Sequence, residues 1–281
     1  MRGKGIVVTE APSSNDRRAR LVRLQRVRSR IAAISYKSKS AHFGSSLSCV
    51  DILDSIAQAA GITPEEITSP QRPRIILSKG HAAMAFYATL EAWGLIPSDL
   101  LEDYLQDGSA LWGHVTRSAA APVIDVSTGS LGHGLGLAGG YALGYRLKRL
   151  GARIFCVLSD GECDEGSTWE AALFAGHHKL DRLVAVIDYN KIQSLDYVST
   201  VLGLEPFAQK WNSFGWNVRE VDGHDPWAID AALCAPTPDR PLVIIAHTVK
   251  GKGVPRIENT VVSHYQPAHR DDASSLNASY A

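Results

Sequence analysis

Ile154-Phe155-Cys156-Val157-Leu158-Ser159-Asp160-Gly161-Glu162, a helix-like segment from Thr168 to His178, and Leu183-Val184-Ala185-Val186-Ile187-Asp188-Tyr189-Asn190-Lys191-Ile192 together decide the fold of this chain. The pattern passes from a buried apolar run to a helical period and back to a buried apolar run, which predicts a βαβ unit. Such a crossover makes its two strands parallel and brings their carboxyl ends to one edge of the sheet. Asp160 closes the first strand and Asn190 the second. Two hard oxygen ligands, distant in sequence, thereby converge on the crevice where open α/β sheets bind ligands. Two oxygens suit Mg²⁺, which keeps waters and accepts further oxygens from a bound phosphate. Gly161 has no Cβ to hold the backbone away from that phosphate. Asp-Gly alone would read as a helix cap at a βα turn. Paired with Asn190 it reads as a diphosphate–Mg²⁺ anchor.

Asp160-Gly161 followed one crossover later by Asn190 resembles the thiamine-diphosphate motif, which Gly-Asp-Gly opens and Asn closes; Ser159 stands here in place of the first Gly. Within that group the chain resembles transketolases, in particular the N-terminal subunit of split transketolases, over residues 20–265. The resemblance implies a three-layer αβα fold on a mainly parallel sheet. It implies a cofactor-binding domain over residues 15–268, between an arm at 1–14 and a tail at 269–281. It also implies a metal held by Asp160, Asn190 and the carbonyl of Ile192, with Gly161 and Glu162 in the cofactor cradle.

Working outward, Arg74-Ile75-Ile76-Leu77-Ser78 is a short strand running into Lys79-Gly80-His81-Ala82, followed by a helix with Met84, Tyr87, Leu90 and Trp93 on its apolar face. Donors from a helix N-terminus and a His can meet phosphate oxygens, although a capped turn with an incidental His has the same look. Ser78-Lys79-Gly80-His81-Ala82 resembles the split-transketolase form in which the His touches the diphosphate. His42, in the small-residue loop Ser40 to Ser48 before a helix from Cys49 to Ala60, takes the family's position facing substrate hydroxyls. So does His114, in the loop Trp112-Gly113-His114, although Val115-Thr116-Arg117-Ser118 departs from the family's Pro-rich pattern.

Gly134, Gly136 and Gly139 match the dinucleotide pattern G-x-G-x-x-G, with Asp160 about twenty residues on. That motif opens directly after a strand, whereas Val126, the last strand-like residue, lies well upstream, so the glycines instead begin a helix running to Leu150. Ser127-Thr128-Gly129-Ser130-Leu131-Gly132-His133-Gly134 resembles the family segment in which Gly129, Ser130 and Leu131 line the diphosphate and thiazolium, with His133 in place of Gln. Glu165 matches the family's carboxylate at the contact between two cofactor sites. Val221-Asp222-Gly223-His224-Asp225 is a turn before another helix. Pro241 to Ala246 is a strong strand leading into Thr248-Val249-Lys250-Gly251-Lys252-Gly253, where Walker spacing is absent. The segment resembles the family's Thr-x-Lys-Gly-Lys-Gly. His264 matches the family's His near diphosphate and substrate.

The 281 residues carry 29 basic and 29 acidic side chains, so nothing in the balance favours a nucleic acid or a membrane as partner. No run of apolar residues is long enough to span a bilayer. Cys49, Cys156, Cys163 and Cys234 fit no zinc spacing and suit a reducing cytoplasm; Cys163, beside the Asp160 turn, is the candidate for reactivity. A first helix from Asp16 has Leu21, Leu24, Val27, Ile31 and Ile34 on one face and Arg17, Arg18, Arg20, Arg23, Arg26, Arg28 and Arg30 on the other. Its Arg-rich side could belong to a transit peptide or a nucleic-acid face, but reads best as solvated or facing another subunit. From Asp271 onward the chain reads as a disordered tail.

What the resemblance implies is a transketolase-type transferase using thiamine diphosphate and Mg²⁺ to move a two-carbon ketol unit from a ketose, or ketose phosphate, to an aldehyde. His42, His81, His114 and His264 would donate hydrogen bonds and relay protons. The family's pyrimidine-binding domain lies beyond the matched region. A separate C-terminal subunit, in an α₂β₂ assembly, is therefore expected, and the chain alone should be inactive. Transfer to a lipoyl or carrier-protein thiol is an alternative. So is a non-catalytic module that only binds a partner, which the intact Asp160, Asn190, His81 and His264 argue against.

Overall fold

The computed structural model describes residues 13–235 and 239–278. Most of the expected N-terminal arm and the end of the expected tail lie outside the described residues. Five strands, β1 (Arg74–Leu77), β2 (Ile154–Ser159), β3 (Leu183–Tyr189), β4 (Asn217–Asp222) and β5 (Leu242–His247), form one sheet in the order β1-β2-β3-β5-β4. Every pair is parallel. The carboxyl-terminal turns of β1, β2, β3 and β5 therefore open on the same edge.

The helices are α1 (Ser14–Ser38), α2 (Phe43–Ser48), α3 (Val50–Ala60), α4 (Ala83–Ala92), α5 (Asp99–Glu102), α6 (Gly134–Leu147), α7 (Gly166–His177), α8 (Val198–Val201), α9 (Phe207–Ser213), α10 (Pro226–Cys234) and α11 (Asp272–Ala278). Strand alternation assigns the two faces. Phe155, Val157, Val184, Val186, Leu242 and Ile244 pack with α1, α3, α4 and α10. Cys156, Leu158, Ala185, Ile187, Val243 and Ile245 pack with α6, α7 and α9. Burial on both faces explains why β2 and β3 read as continuous apolar runs. The expected αβα layering is present. No helix among the described residues is long and apolar enough to cross a membrane.

Three expectations are corrected. The loop from Ser40 to Ser48 is helical over Phe43–Ser48, where every residue is buried. The Arg-rich side of α1 is not simply solvated: Arg20 Nε donates to Asp54 (2.8 Å) and its Nη1 to Asp230 (2.5 Å), while the fully buried Arg28 donates to Asp51 (2.5 Å). Those carboxylates belong to α3 and α10, so the guanidinium groups clamp three helices together. Residues 272–278, expected within a disordered tail, form α11, which buries Leu276 and Asp272, and Asp272 pairs with Arg256 (2.5 Å).

Two glycines illustrate how packing overrides propensity. At Gly176 in α7 an added Cβ would overlap the Phe214 carbonyl oxygen, whereas at Gly144 in α6 it would meet nothing within 4 Å. Ala normally stabilises a helix interior relative to Gly by up to about 1 kcal/mol. Gly144→Ala should show that gain in denaturant titrations, while Gly176→Ala should lose about 1–3 kcal/mol through overpacking. Equal effects at the two positions would contradict this packing.

Candidate active site

The cofactor-motif residues meet at the carboxyl edge of the sheet. Asp160 ends β2 with its carboxylate buried; Oδ1 accepts the Gly161 N–H (2.8 Å) and Oδ2 the Lys191 N–H (2.6 Å). The second bond draws Asp160 onto the turn that follows β3, between Asn190 and Ile192. Asn190 Oδ1 accepts the Ile192 N–H (3.1 Å), and Asn190 Nδ2 donates to Asp188 (3.4 Å). Burial, and then the neighbouring Asp188, push the Asp160 carboxyl up to about 7. A desolvated carboxylate beside a carboxamide and a backbone carbonyl is a donor set that a hard cation would relieve. Among the described residues no group of three or more His, Cys, Asp or Glu side chains is placed to hold a metal. A cation here would complete its shell with water or with oxygens of a bound phosphate.

Beneath this turn lies a buried ion pair. Lys79, after β1, pairs with Asp188 of β3, and both side chains are fully buried. Burial alone would lower the Lys79 ammonium and raise the Asp188 carboxyl; their mutual attraction overrides it, so Lys79 sits above and Asp188 below the usual range. Ser48 donates to the same carboxylate (2.6 Å), as does Thr248, and Lys79 also donates to Ser45 O (3.1 Å). Lys79 is thus consumed internally, and the strand-to-helix turn sets His81 against His42 and His264 instead.

Four imidazoles cluster beside the turn. His42 lies 5.2 Å from His81, 5.8 Å from His114 and 4.9 Å from His264 between ring centroids, and His81 lies 5.6 Å from His264. Four distant segments deliver them. His42 precedes α2 with φ 65°, a left-handed conformation that costs a non-glycine residue energy, and its N–H donates to His264 O (2.9 Å). His42 Nδ1 is buried without a hydrogen-bond partner. Burial, followed by repulsion from nearby cations, lowers His42 to about 4 and His264 to about 3, and drives His81 well below its ordinary value. These three are neutral at physiological pH, each with one donor and one acceptor nitrogen.

Lys250 joins the two halves. Its ammonium donates to Ile192 O (2.9 Å), Gln193 O (3.3 Å) and His264 Nδ1 (3.0 Å). An ammonium can only donate, so His264 carries its proton on Nε2. Burial pulls Lys250 down to about 8. One Ile192 carbonyl lone pair remains for a cation.

The Gly129 loop completes the mouth. Thr128 Oγ1 donates to Leu77 O (2.7 Å) and Val115 N–H to Gly80 O (3.3 Å), tying this loop and the His114 loop to the end of β1. A Cβ on Gly80 would lie 2.7 Å from Gly129 N, and one on Gly129 (φ 143°) 2.9 Å from the His114 ring. Gly161 is similarly close to the Gln193 side chain, at 3.0 Å. Ser130 is exposed and Leu131 half-buried beside Gly129. These bare backbones let the Gly129 loop, the His114 loop and the two strand-end turns pack directly against one another.

A family description, "Transketolase, thiamine diphosphate binding domain", matches residues 18–281. The chain belongs to the transketolase family. It is 39% identical over 226 residues to the 6-deoxy-6-sulfo-D-fructose transketolase subunit SqwG of Clostridium sp. (strain MSTE9), covering 79% of this chain and 82% of that subunit. It is 36% identical over 241 residues to an apulose-4-phosphate transketolase subunit of Phocaeicola vulgatus, covering 85% of each. Among solved structures, transketolase from Leishmania mexicana superposes with a TM-score of 0.82 at 26% identity, covering 92% of this chain and 41% of that one. The chain thus spans about two fifths of that solved transketolase.

Two acidic residues of the transketolase motif point differently. Glu162 is buried and accepts hydrogen bonds from Ser78 and Gly132 N–H (2.9 Å), so its carboxylate braces the cradle from behind. Glu165 is exposed at the start of α7, beside Gly132. Cys163 is not the reactive thiol expected: it is buried, and burial, then Glu162, raise it well above its ordinary range. Sequence reasoning assigned no role to Lys250, whose only signal was the Lys-Gly-Lys-Gly run, nor to Asp188, which looks like any strand-end Asp.

The histidine shifts set a pH dependence. Folded His42 releases its proton far more readily than the ordinary value of 6.5, so the unfolded chain binds more protons in acid. Its contribution is fully present above pH 6.5 and is lost as pH falls towards 4. Asp160, raised, works in the opposite sense between about 4 and 7, so a difference measurement isolates the histidine. His42→Asn should lose less stability than the parent between pH 7.5 and 5, by on the order of 1–2 kcal/mol. Parallel thermal-melting curves for the two proteins across that range would contradict the assignment.

Proposed function

We propose that this chain is the diphosphate-binding subunit of a two-component transketolase, comprising residues 15–268 with α11 packed against them. It transfers a two-carbon ketol unit from a ketose phosphate to an aldehyde acceptor. The observation that carries this reading is the junction at Lys250, where a cation-binding turn and a cluster of histidines share one ammonium. A diphosphate–metal head on the turn would set an organic ring against the imidazoles.

In this reading Asp160, Asn190 and the Ile192 carbonyl hold Mg²⁺. His81, His264, Gly161 and the Gly129-Ser130-Leu131 backbone receive the diphosphate and ring, and Glu162 fixes the Gly132 end of that loop. Bound thiamine diphosphate supplies reversible capture of a two-carbon fragment at its thiazolium ring. His42 and His114 orient the sugar hydroxyls, and the orphan Nδ1 of His42 is free to take part in a hydroxyl's hydrogen bond. His264 keeps its Nε2 proton available because Lys250 occupies Nδ1. Neutral imidazoles can both accept and return a proton, which reversible carbon–carbon cleavage requires. Glu165, exposed at the edge, meets a second cofactor site across a subunit contact.

A separate C-terminal subunit completes the pyrimidine side of the site in an α₂β₂ enzyme. Both of the relatives from Clostridium and Phocaeicola are named as transketolase subunits, and the chain covers most of each. With four free cysteines, three of them buried, we place the protein in the cytoplasm.

Calorimetric titration of thiamine diphosphate with Mg²⁺ tests the reading. Binding should require Mg²⁺, vanish in Asp160→Ala, and tighten when the partner subunit is added. Ketol transfer should appear only in the mixture. Turnover by the pure chain, or binding indifferent to Asp160, would refute the assignment.

A further inference from the structure

His224 lies outside the histidine cluster, in the turn between β4 and α10, yet it is tied both to α3 and to the residue before Lys250. Its Nδ1 is 3.0 Å from Asp51 Oδ2 on α3. Its Nε2 is 2.8 Å from the backbone nitrogen of Val249. Its own N–H donates to Asp222 Oδ1 (2.8 Å), which fixes the turn. Asp51 is in turn held by the fully buried Arg28 of α1 (2.5 Å).

The donor inventory settles the tautomer. A backbone N–H can only donate, so Nε2 accepts from Val249 and must be unprotonated. Nδ1 therefore carries the hydrogen and donates to Asp51. An imidazole with one nitrogen on a carboxylate and the other on a defined partner is fixed in ring orientation and proton position. Val249 immediately precedes Lys250, whose ammonium reaches Ile192 O and His264 Nδ1. The residues on either side of Val249 are anchored independently: Thr248 Oγ1 donates to Asp188, and Asn259 N–H donates to Lys250 O (3.0 Å).

We infer that His224 is a positioning residue for the reaction: Asp51 locks its Nδ1–H tautomer, and its Nε2 holds the Val249 N–H so that Lys250 is presented to the Ile192 carbonyl and His264. Removing the acceptor leaves the Val249 N–H without its partner and loosens the one peptide link between the anchored Thr248 and Lys250. The effect on the site is exerted through that lysine, because His224 itself touches neither the cation-binding turn nor the histidine cluster. Its catalytic significance rests on the transketolase reading above; the loop geometry does not.

The test uses the full chain and three readouts. Long-range ¹H–¹⁵N imidazole spectra of the parent should show His224 as the Nδ1–H tautomer; an Nε2–H form would overturn the inference without any variant. His224→Gln offers a carboxamide whose NH₂ can face Asp51 and whose oxygen can face Val249, while His224→Leu offers neither. Amide exchange at Val249 should accelerate at least about tenfold in His224→Leu and remain near the parent in His224→Gln. The dissociation constant for thiamine diphosphate with Mg²⁺ should rise by about tenfold or more in His224→Leu and recover in His224→Gln, as for other residues that orient ligand-holding groups. A folded His224→Leu with parental exchange and affinity would overturn the proposal. Accelerated exchange with no thiamine diphosphate binding by the parent would instead sustain the loop geometry and overturn the functional reading on which its catalytic meaning depends.

Discussion

The Asp188 carboxylate is the point on which the site is assembled. It receives the Lys79 ammonium from the end of β1, the Ser48 hydroxyl from α2, the Thr248 hydroxyl from the end of β5, and the Asn190 amide. Three segments distant in sequence, together with the turn that follows β3, are thereby brought to one buried anion. Taking both charges out of water is costly, and the pair holds only because every oxygen is satisfied. Removing one partner from such a pair typically costs about 3–5 kcal/mol, since the other is left buried and uncompensated. Lys79, Asn190 and Thr248 each stand within two residues of a proposed ligand-handling group: His81, Ile192 and Lys250.

Above that pair the charges become sparser and more adjustable. Asp160 is buried beside Asp188 without a cation of its own among the described residues, and it is raised to about 7. Lys250 is lowered to about 8 and the nearby imidazoles further below their ordinary range. Desolvation is the first cause in each case. The same burial that makes a free carboxylate unfavourable makes a bound cation favourable, and it keeps the histidines neutral and able to exchange protons. The exposed Trp112, Val262 and Tyr265 lie close in sequence to His114 and His264, so the histidine-bearing loops also present large apolar side chains to their surroundings.

How far the chain could be read before folding depended on the range of each signal. Apolar runs and helical periodicity are local, so β2, α7 and β3 were legible, and strand ends then placed Asp160 and Asn190 together. His42, His81, His114 and His264 carry no periodic signal; they were legible through resemblance, and the structure gathers all four into one cluster. The internal pairing of Arg20, Arg23 and Arg28 was not legible, because a guanidinium on a helix surface looks solvated until Asp51, Asp54 and Asp230 arrive from α3 and α10. Cys163 looked reactive because it stands beside the Asp160 turn, but its side chain is buried in the apolar layer that includes α7. The segment after Asp271 looked too small and polar to fold, yet Leu276 and the Asp272–Arg256 pair suffice to seat α11.

By itself the sequence determined a parallel βαβ unit with Asp160 and Asn190 at its carboxyl edge, because apolar runs and the crossover between them are set within a few tens of residues; the full αβα layering came through resemblance. Only the tertiary structure decided which charges neutralise one another. It gave Lys79 to Asp188, turned Glu162 inward to Ser78 and Gly132, and left Lys250 to span Ile192 and His264. It also chose the proton position on His224. The physical reason is that desolvation and hydrogen-bond pairing depend on distance in space, which for Asp51, His224 and Val249 bears no relation to distance along the chain.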